Sequence, residues 1–161
     1  NPSLTVRLTK IELGLSKNDA IDQPVKIILG NLKKSKKINK IFSNNSKIIV
    51  GSRLSTRQSK NVEYLEYKQR SFLKEFLQDL LARDISSILV EGGQKTLNAF
   101  IVNNLFDELI LYTAPLFLGK ESKGALSLIA PDTISKSKKL KMVKTERFKD
   151  DIKTTYYNGN I

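Results

Sequence analysis

Short runs of β-branched and aliphatic residues, each cut off by turn residues, recur along the chain. Residues 25–29 follow Pro24 and stop at Gly30-Asn31, residues 47–50 stop at Gly51-Ser52, and residues 87–91 stop at Gly92-Gly93. Runs of this length between turn signals predict buried strands. Residues 62–67 alternate in polarity and predict a further strand, and Leu4, Val6 and Leu8 alternate after an Asn-Pro turn in the same way. Apolar positions then change to helical spacing at Phe72, Leu73, Phe76, Leu77, Leu80 and Leu81, with Ser71 as the opening residue. A second helix is predicted by Leu97, Phe100, Ile101 and Leu105, ending at Asn103-Asn104. Residues 108–114 form another strand, closed by Pro115. Strands alternating with helices predict a largely parallel sheet covered on both faces.

The last third changes character. A 119–124 loop and a polar 131–138 stretch precede residues 140–148 and 152–158, which predict an antiparallel hairpin turning at Asp150-Asp151. The expected class is therefore α/β, with a mixed, mostly parallel sheet flanked by helices and a C-terminal antiparallel hairpin. The expected organisation is one domain over residues 1–161.

Composition narrows the chemistry. The chain has 161 residues, 40% of them hydrophobic, and a domain of this size buries roughly 70% of the surface its unfolded chain exposes. It contains no Cys and no His. That excludes a disulfide framework, a thiolate zinc site, a cysteine nucleophile and a Ser-His-Asp triad, leaving only oxygen-ligated metal as conceivable; no metal is expected. No apolar run approaches the ~18 residues of a membrane span and the first residues are no signal peptide, so no membrane association and a cytoplasmic location are expected. The chain opens without Met and leads directly into a strand pattern, which reads as a fragment of a longer protein.

The net charge is +12, with 28 basic against 16 acidic residues. Nucleic acid binding draws on phosphate neutralisation, yet 22 of the basic residues are Lys and only 6 are Arg. Base readout and phosphate forks favour Arg, so the charge reads as compositional bias. The Lys runs at 33–37 and 136–141 read as solvated faces, with an RNA or polyanion surface as the alternative.

Residues 88–97, Ile-Leu-Val-Glu-Gly-Gly-Gln-Lys-Thr-Leu, carry the most chemistry. A strand, two glycines and a helix start place unpaired backbone N–H groups and the positive end of a helix dipole at a sheet edge. That arrangement suits anions, phosphates above all. Gly92 and Gly93 allow close approach to the backbone, Lys95 or Thr96 can reach a phosphate oxygen, and Glu91 stands at the strand end where α/β proteins place ligands. The plainer reading is a tight strand-to-helix turn, since the pattern is neither a P-loop nor a GxGxxG fingerprint.

The same residues carry a resemblance. Leu89-Val90-Glu91-Gly92-Gly93 with Thr96-Leu97, Phe106-Asp107-Glu108-Leu109, residues 111–119 and the opening Asn1-Pro2-Ser3-Leu4-Thr5-Val6-Arg7 together resemble the reductase domain of the bifunctional riboflavin-biosynthesis protein. The resemblance implies a dihydrofolate-reductase-like fold that reduces the ribosyl group of 5-amino-6-(5-phosphoribosylamino)uracil to ribityl with NADPH. It places Leu4, Arg7 and Glu91 on substrate-contacting positions. Gly92 joins the segment Gly93, Gln94, Lys95, Thr96, Leu97, Asn98 and Ala99, which falls on the NADPH phosphate-binding turn. Asn31 and Ser52, each at a strand end, are cofactor candidates by position, although Gly30-Asn31 stands where the family has an acidic residue followed by a small hydroxyl one. The resemblance further implies a first strand and helix preceding residue 1 and a zinc-dependent deaminase domain, neither present in this chain. An apolar strand set of this kind also suggests a homodimer that covers a sheet edge.

The residue chemistry agrees with that implication. Hydride transfer is the cofactor's chemistry and requires no His or Cys from the protein. Arg7 offers a bidentate fork for a phosphate ester, or is a surface residue. Glu91 can accept hydrogen bonds from ribose hydroxyls or uracil N–H groups, or is an exposed strand-end carboxylate. Asp107 and Glu108 read as a helix-to-strand connection, and Tyr112 and Phe117 as core. Two other functions fit the same residues: a related reductase of another heterocycle, and a non-enzymatic basic domain that binds RNA.

Overall fold

The computed structural model describes residues 4–30, 40–42, 46–52, 61–68, 72–129 and 131–159. The chain divides into two compact units, Asn1–Ser86 and Ser87–Ile161.

The first unit is built on a parallel sheet of β1 (Lys26–Leu29), β2 (Ile48–Ser52) and β3 (Val62–Glu66), in the order β1-β2-β3. The register pairs Lys26 with Ile48 and Ile48 with Val62. Central β2 is buried along its whole length, as the near-continuous apolar run Ile48-Ile49-Val50 requires of a strand covered on both faces. Backbone bonds extend the ladder beyond the strands, from Gly30 N to Gly51 O and from Tyr67 N to Ser52 O. Helix α1 (Leu73–Leu81) lays Phe76 and Leu80 on the sheet, where they join Ile49 and Tyr67 in the core. Gly51 is needed here because a Cβ at that position would lie 2.7 Å from the Phe76 ring.

Two hydrogen bonds close α1, from Ile85 N to Leu80 O and from Asp84 N to Leu81 O, with Asp84 in the left-handed region at φ 61°. Tyr67 donates its hydroxyl hydrogen to Asp79, and Arg83 bonds both the Asp79 carbonyl and the Glu63 carboxylate. Helix α1 is thereby tied to β3 through polar as well as apolar contacts.

The second unit holds helix α2 (Gln94–Val102) and an antiparallel sheet of β4 (Glu108–Thr113), β5 (Leu140–Phe148) and β6 (Asp151–Asn158), in the order β4-β6-β5. The hairpin turns at Lys149-Asp150, with Lys149 at φ 59°, and a bulge interrupts the β5–β6 register between Met142 and Lys144.

Three expectations are corrected. Residues 87–91, read as a buried strand, carry no ladder, and Leu89 is 80% exposed. An apolar run becomes a strand only when a neighbour satisfies its N–H and C=O groups, and no described strand of its own unit pairs with it. The alternation at Leu4, Val6 and Leu8 does not make a strand either. The chain there is irregular, Leu4 has φ 48°, and a set of turns at 10–14 follows. Tyr112 and Phe117 are not core: Tyr112 meets Phe148 edge-on at 6.2 Å on an open sheet face, and Phe117 is fully exposed in the loop after β4. Ser71, expected to open α1, lies outside the described residues; the helix starts at Leu73 with Phe72 as its N-cap residue.

Candidate functional site

Helix α2 is anchored at both ends by long-range hydrogen bonds. At its C-terminus, Asn104 takes φ 56°, and bonds from Leu105 N to Phe100 O and from Asn104 N to Ile101 O close the last turn. Lys138 Nζ donates to Ile101 O at 2.7 Å and to Asn104 Oδ1 at 2.6 Å, putting a cation at the negative end of the helix. The buried Asn158 donates from Nδ2 to Asn104 Oδ1 and to Phe106 O, joining the helix end to the last strand.

The N-terminus is built differently. Gly93 is the N-cap residue at φ −81° and ψ 171°, and its carbonyl accepts from Thr96 N and Leu97 N. No acidic residue occupies the first turn. The first backbone N–H groups of a helix have no acceptor within it, so they and the dipole make this end electropositive. Gly92 and Gly93 are both exposed, but their surroundings differ. A Cβ on Gly92 would sit 3.1 Å from Thr96 Cβ, whereas a Cβ on Gly93 would meet nothing within 4 Å. Gly93 therefore presents open backbone to whatever approaches the helix end. Lys95 is exposed beside it, and Thr96 and Leu97 are half-buried.

Two side chains of the expected turn are already occupied. Gln94 Nε2 donates to Gly124 O at 3.1 Å. Asn98 makes a reciprocal pair with Ser127, donating from Nδ2 to the carbonyl at 2.9 Å and accepting the amide N–H on Oδ1 at 3.1 Å. Ala99 is half-buried within the helix. The loop contacts of Gln94 and Asn98 had no signal in the sequence, since their partners lie about 30 residues away and are backbone atoms.

The remaining candidates are placed as follows. Glu91 is exposed immediately before the glycines. In the first unit Arg7 is exposed and Leu4 half-buried, while Ser52 is buried at the end of β2 with its carbonyl bonded to Tyr67 N. Asn31 lies outside the described residues. Among those residues no group of three or more His, Cys, Asp or Glu comes together to hold a metal ion. Nor is any described helix long and apolar enough to cross a membrane.

Comparison with known proteins bears on the whole chain. The family model described as RibD C-terminal domain matches residues 1–154. The chain is 30% identical over 162 residues to the riboflavin biosynthesis protein RibD of Haemophilus influenzae, covering 97% of this chain and 44% of that protein. It is 29% identical over 150 residues to a 5-amino-6-(5-phosphoribosylamino)uracil reductase of Buchnera aphidicola, covering 88% of this chain and 72% of the relative. Among solved structures, a diaminohydroxyphosphoribosylaminopyrimidine deaminase/5-amino-6-(5-phosphoribosylamino)uracil reductase from Thermotoga maritima superposes with a TM-score of 0.72 at 26% identity. That match covers 98% of this chain and 41% of the other. The chain thus spans less than half the length of the bifunctional proteins it resembles.

Proposed function

The chain belongs to the RibD C-terminal domain family, and on that premise we propose that it reduces 5-amino-6-(5-phosphoribosylamino)uracil to the ribitylamino product with NADPH. The observation that carries the reading is the open backbone at Gly93, at the electropositive end of a helix anchored at both ends. Its donor set fits a dinucleotide. Unpaired N–H groups, a glycine that leaves room for close approach, and the adjacent Lys95 suit a pyrophosphate, with no first-turn carboxylate to repel it. Gly92 and Gly93 with the first residues of α2, Gln94, Lys95, Thr96, Leu97, Asn98 and Ala99, are the cofactor candidates at this end, and Ser52 and Asn31 are further ones. When bound, the nicotinamide supplies hydride.

The chain's own residues bind and orient. The guanidinium of Arg7, exposed and able to form a fork, is assigned to the substrate's phosphate ester, and Leu4 to packing against the substrate. Glu91 is assigned to accepting hydrogen bonds from ribose or uracil donors. A reaction of this type gains most of its rate from orientation and the cofactor's own reactivity, which agrees with a chain lacking His and Cys. In this reading the protein is cytoplasmic, part of a longer polypeptide with a deaminase domain, and a homodimer.

The test is a titration with NADPH and with NADH, followed by nicotinamide fluorescence, on wild type and Gly93→Val. A Cβ on Gly93 meets nothing within 4 Å and its φ is ordinary, and an unchanged far-UV circular dichroism spectrum checks that the valine variant keeps the fold. Binding of NADPH that the valine abolishes supports the assignment. No binding of either nucleotide by wild type refutes it.

A further inference from the structure

We infer that Asn98 is a positioning residue, which docks the 124–127 segment onto the first two turns of helix α2 and so holds the glycine turn in its ligand-ready shape. The inference rests on the cofactor reading above.

Asn98 spends both ends of its amide on one residue, giving a hydrogen to the Ser127 carbonyl and taking one from the Ser127 amide. A two-point contact fixes direction as well as distance, and it imitates the backbone pairing of an added strand. Gln94, one turn earlier, makes a third bond to Gly124 O. Three hydrogen bonds thus run from one face of α2 to a loop that contributes no regular structure of its own over 114–129. The same two side chains stand one and five residues after Gly93. The loop is therefore fastened beside the helix end assigned to the cofactor, within a single compact unit. An amide that holds a loop by both its atoms is spent on positioning and has little left for a ligand.

The loop carries Lys120 and Lys123, both exposed, which makes its docking measurable by tryptic cleavage. The experiment compares wild type with Asn98→Leu, which has nearly the same shape and no hydrogen bonds, Asn98→Gln, which keeps the amide, and Ser127→Ala, which spares both backbone bonds. Gln94→Ala, removing one exposed hydrogen bond, serves if the leucine variant folds poorly. Asn98→Leu is expected to speed cleavage at Lys120 and Lys123 and to weaken NADPH binding, each about tenfold, the worth of one to two net hydrogen bonds. In the intact enzyme KM for NADPH rises while kcat moves less than about twofold. Asn98→Gln recovers part of both losses, and Ser127→Ala matches wild type. Weaker NADPH binding with unchanged cleavage makes Asn98 a direct ligand and overturns the inference. Faster cleavage with unchanged affinity overturns it as well, since the loop then has no bearing on the turn. If wild type itself binds no NADPH, the cofactor reading fails and the inference falls with it, a pattern distinct from either of the others.

Discussion

Substituting Gly51 by Ala tests the packing that fixes the end of β2. The added Cβ would lie 2.7 Å from Phe76 Cε2, 2.9 Å from Cδ2 and 3.1 Å from Cζ. Carbon atoms in contact prefer about 3.5–4.0 Å, so ring or strand must move by nearly an ångström. The ring has little freedom to move. Phe76 is buried, with Tyr67 edge-on at 5.7 Å and Phe72 at 6.4 Å. Overpacking of this kind costs about 1–3 kcal/mol, offset by roughly 0.4–1 kcal/mol from the smaller entropy of the unfolded chain. A net loss of about 1–2 kcal/mol at a urea slope of about 2 kcal/mol/M lowers the denaturation midpoint by roughly 0.5–1 M. Gly93→Ala is the control, since its Cβ meets nothing within 4 Å; its stability should stay within about 0.5 kcal/mol of wild type, a midpoint change of roughly 0.25 M or less. Phe76→Leu is destabilising alone, yet combined with Gly51→Ala it should cost less than the sum, by about 1 kcal/mol, because the new methyl fills the space the ring leaves. An unchanged midpoint for Gly51→Ala, or strict additivity in the double variant, refutes the account of Gly51 as a steric requirement.

Further outcomes follow from the polar contacts. Burial first, and then the hydrogen bond to Asp79, raise the pKa of Tyr67 above its ordinary 10.0. The folded state therefore keeps that proton after the unfolded chain has released it, so the contribution of Tyr67 is complete below about pH 10 and declines as pH rises further. Urea midpoints measured from pH 8 to 11 should fall more steeply for wild type than for Tyr67→Phe, and parallel curves would count against the assignment. Lys138→Met removes the cation and two donors from the C-terminal end of α2, for a loss of about 1 kcal/mol. Amide exchange at Asn104 and Leu105 should quicken accordingly, whereas unchanged protection would mean that the backbone bonds alone close the helix.

Helix α2 was legible because its signals are local. Two glycines precede it, apolar residues recur at helical spacing, and Asn103-Asn104 ends it, the second asparagine taking the left-handed conformation that short polar side chains tolerate. Strands β1, β2 and β3 and the terminal hairpin were legible for the same reason, each being an apolar or alternating run between turn residues. Residues 87–91 show where such reading stops. Ile88-Leu89-Val90 has strand composition, but a strand is a relation between two segments, and whether a neighbour lies alongside is not written in the run itself. Tyr112 and Phe117 depart from a core position on the same ground, because burial depends on what lies over a side chain.

The candidate site divides along that line. Its electropositive helix end follows from the order of residues 91–97, since a glycine pair before a helix creates unpaired N–H groups wherever it occurs. The difference between Gly92, crowded by Thr96, and Gly93, open to approach, required three-dimensional distances. So did the commitment of Gln94 and Asn98 to a loop about 30 residues away, a contact between side-chain amides and backbone atoms that leaves no pattern along the chain. Local conformational preference follows from the residues themselves. Partners, burial and free space come only from folding, because each depends on segments far apart in the sequence being brought together.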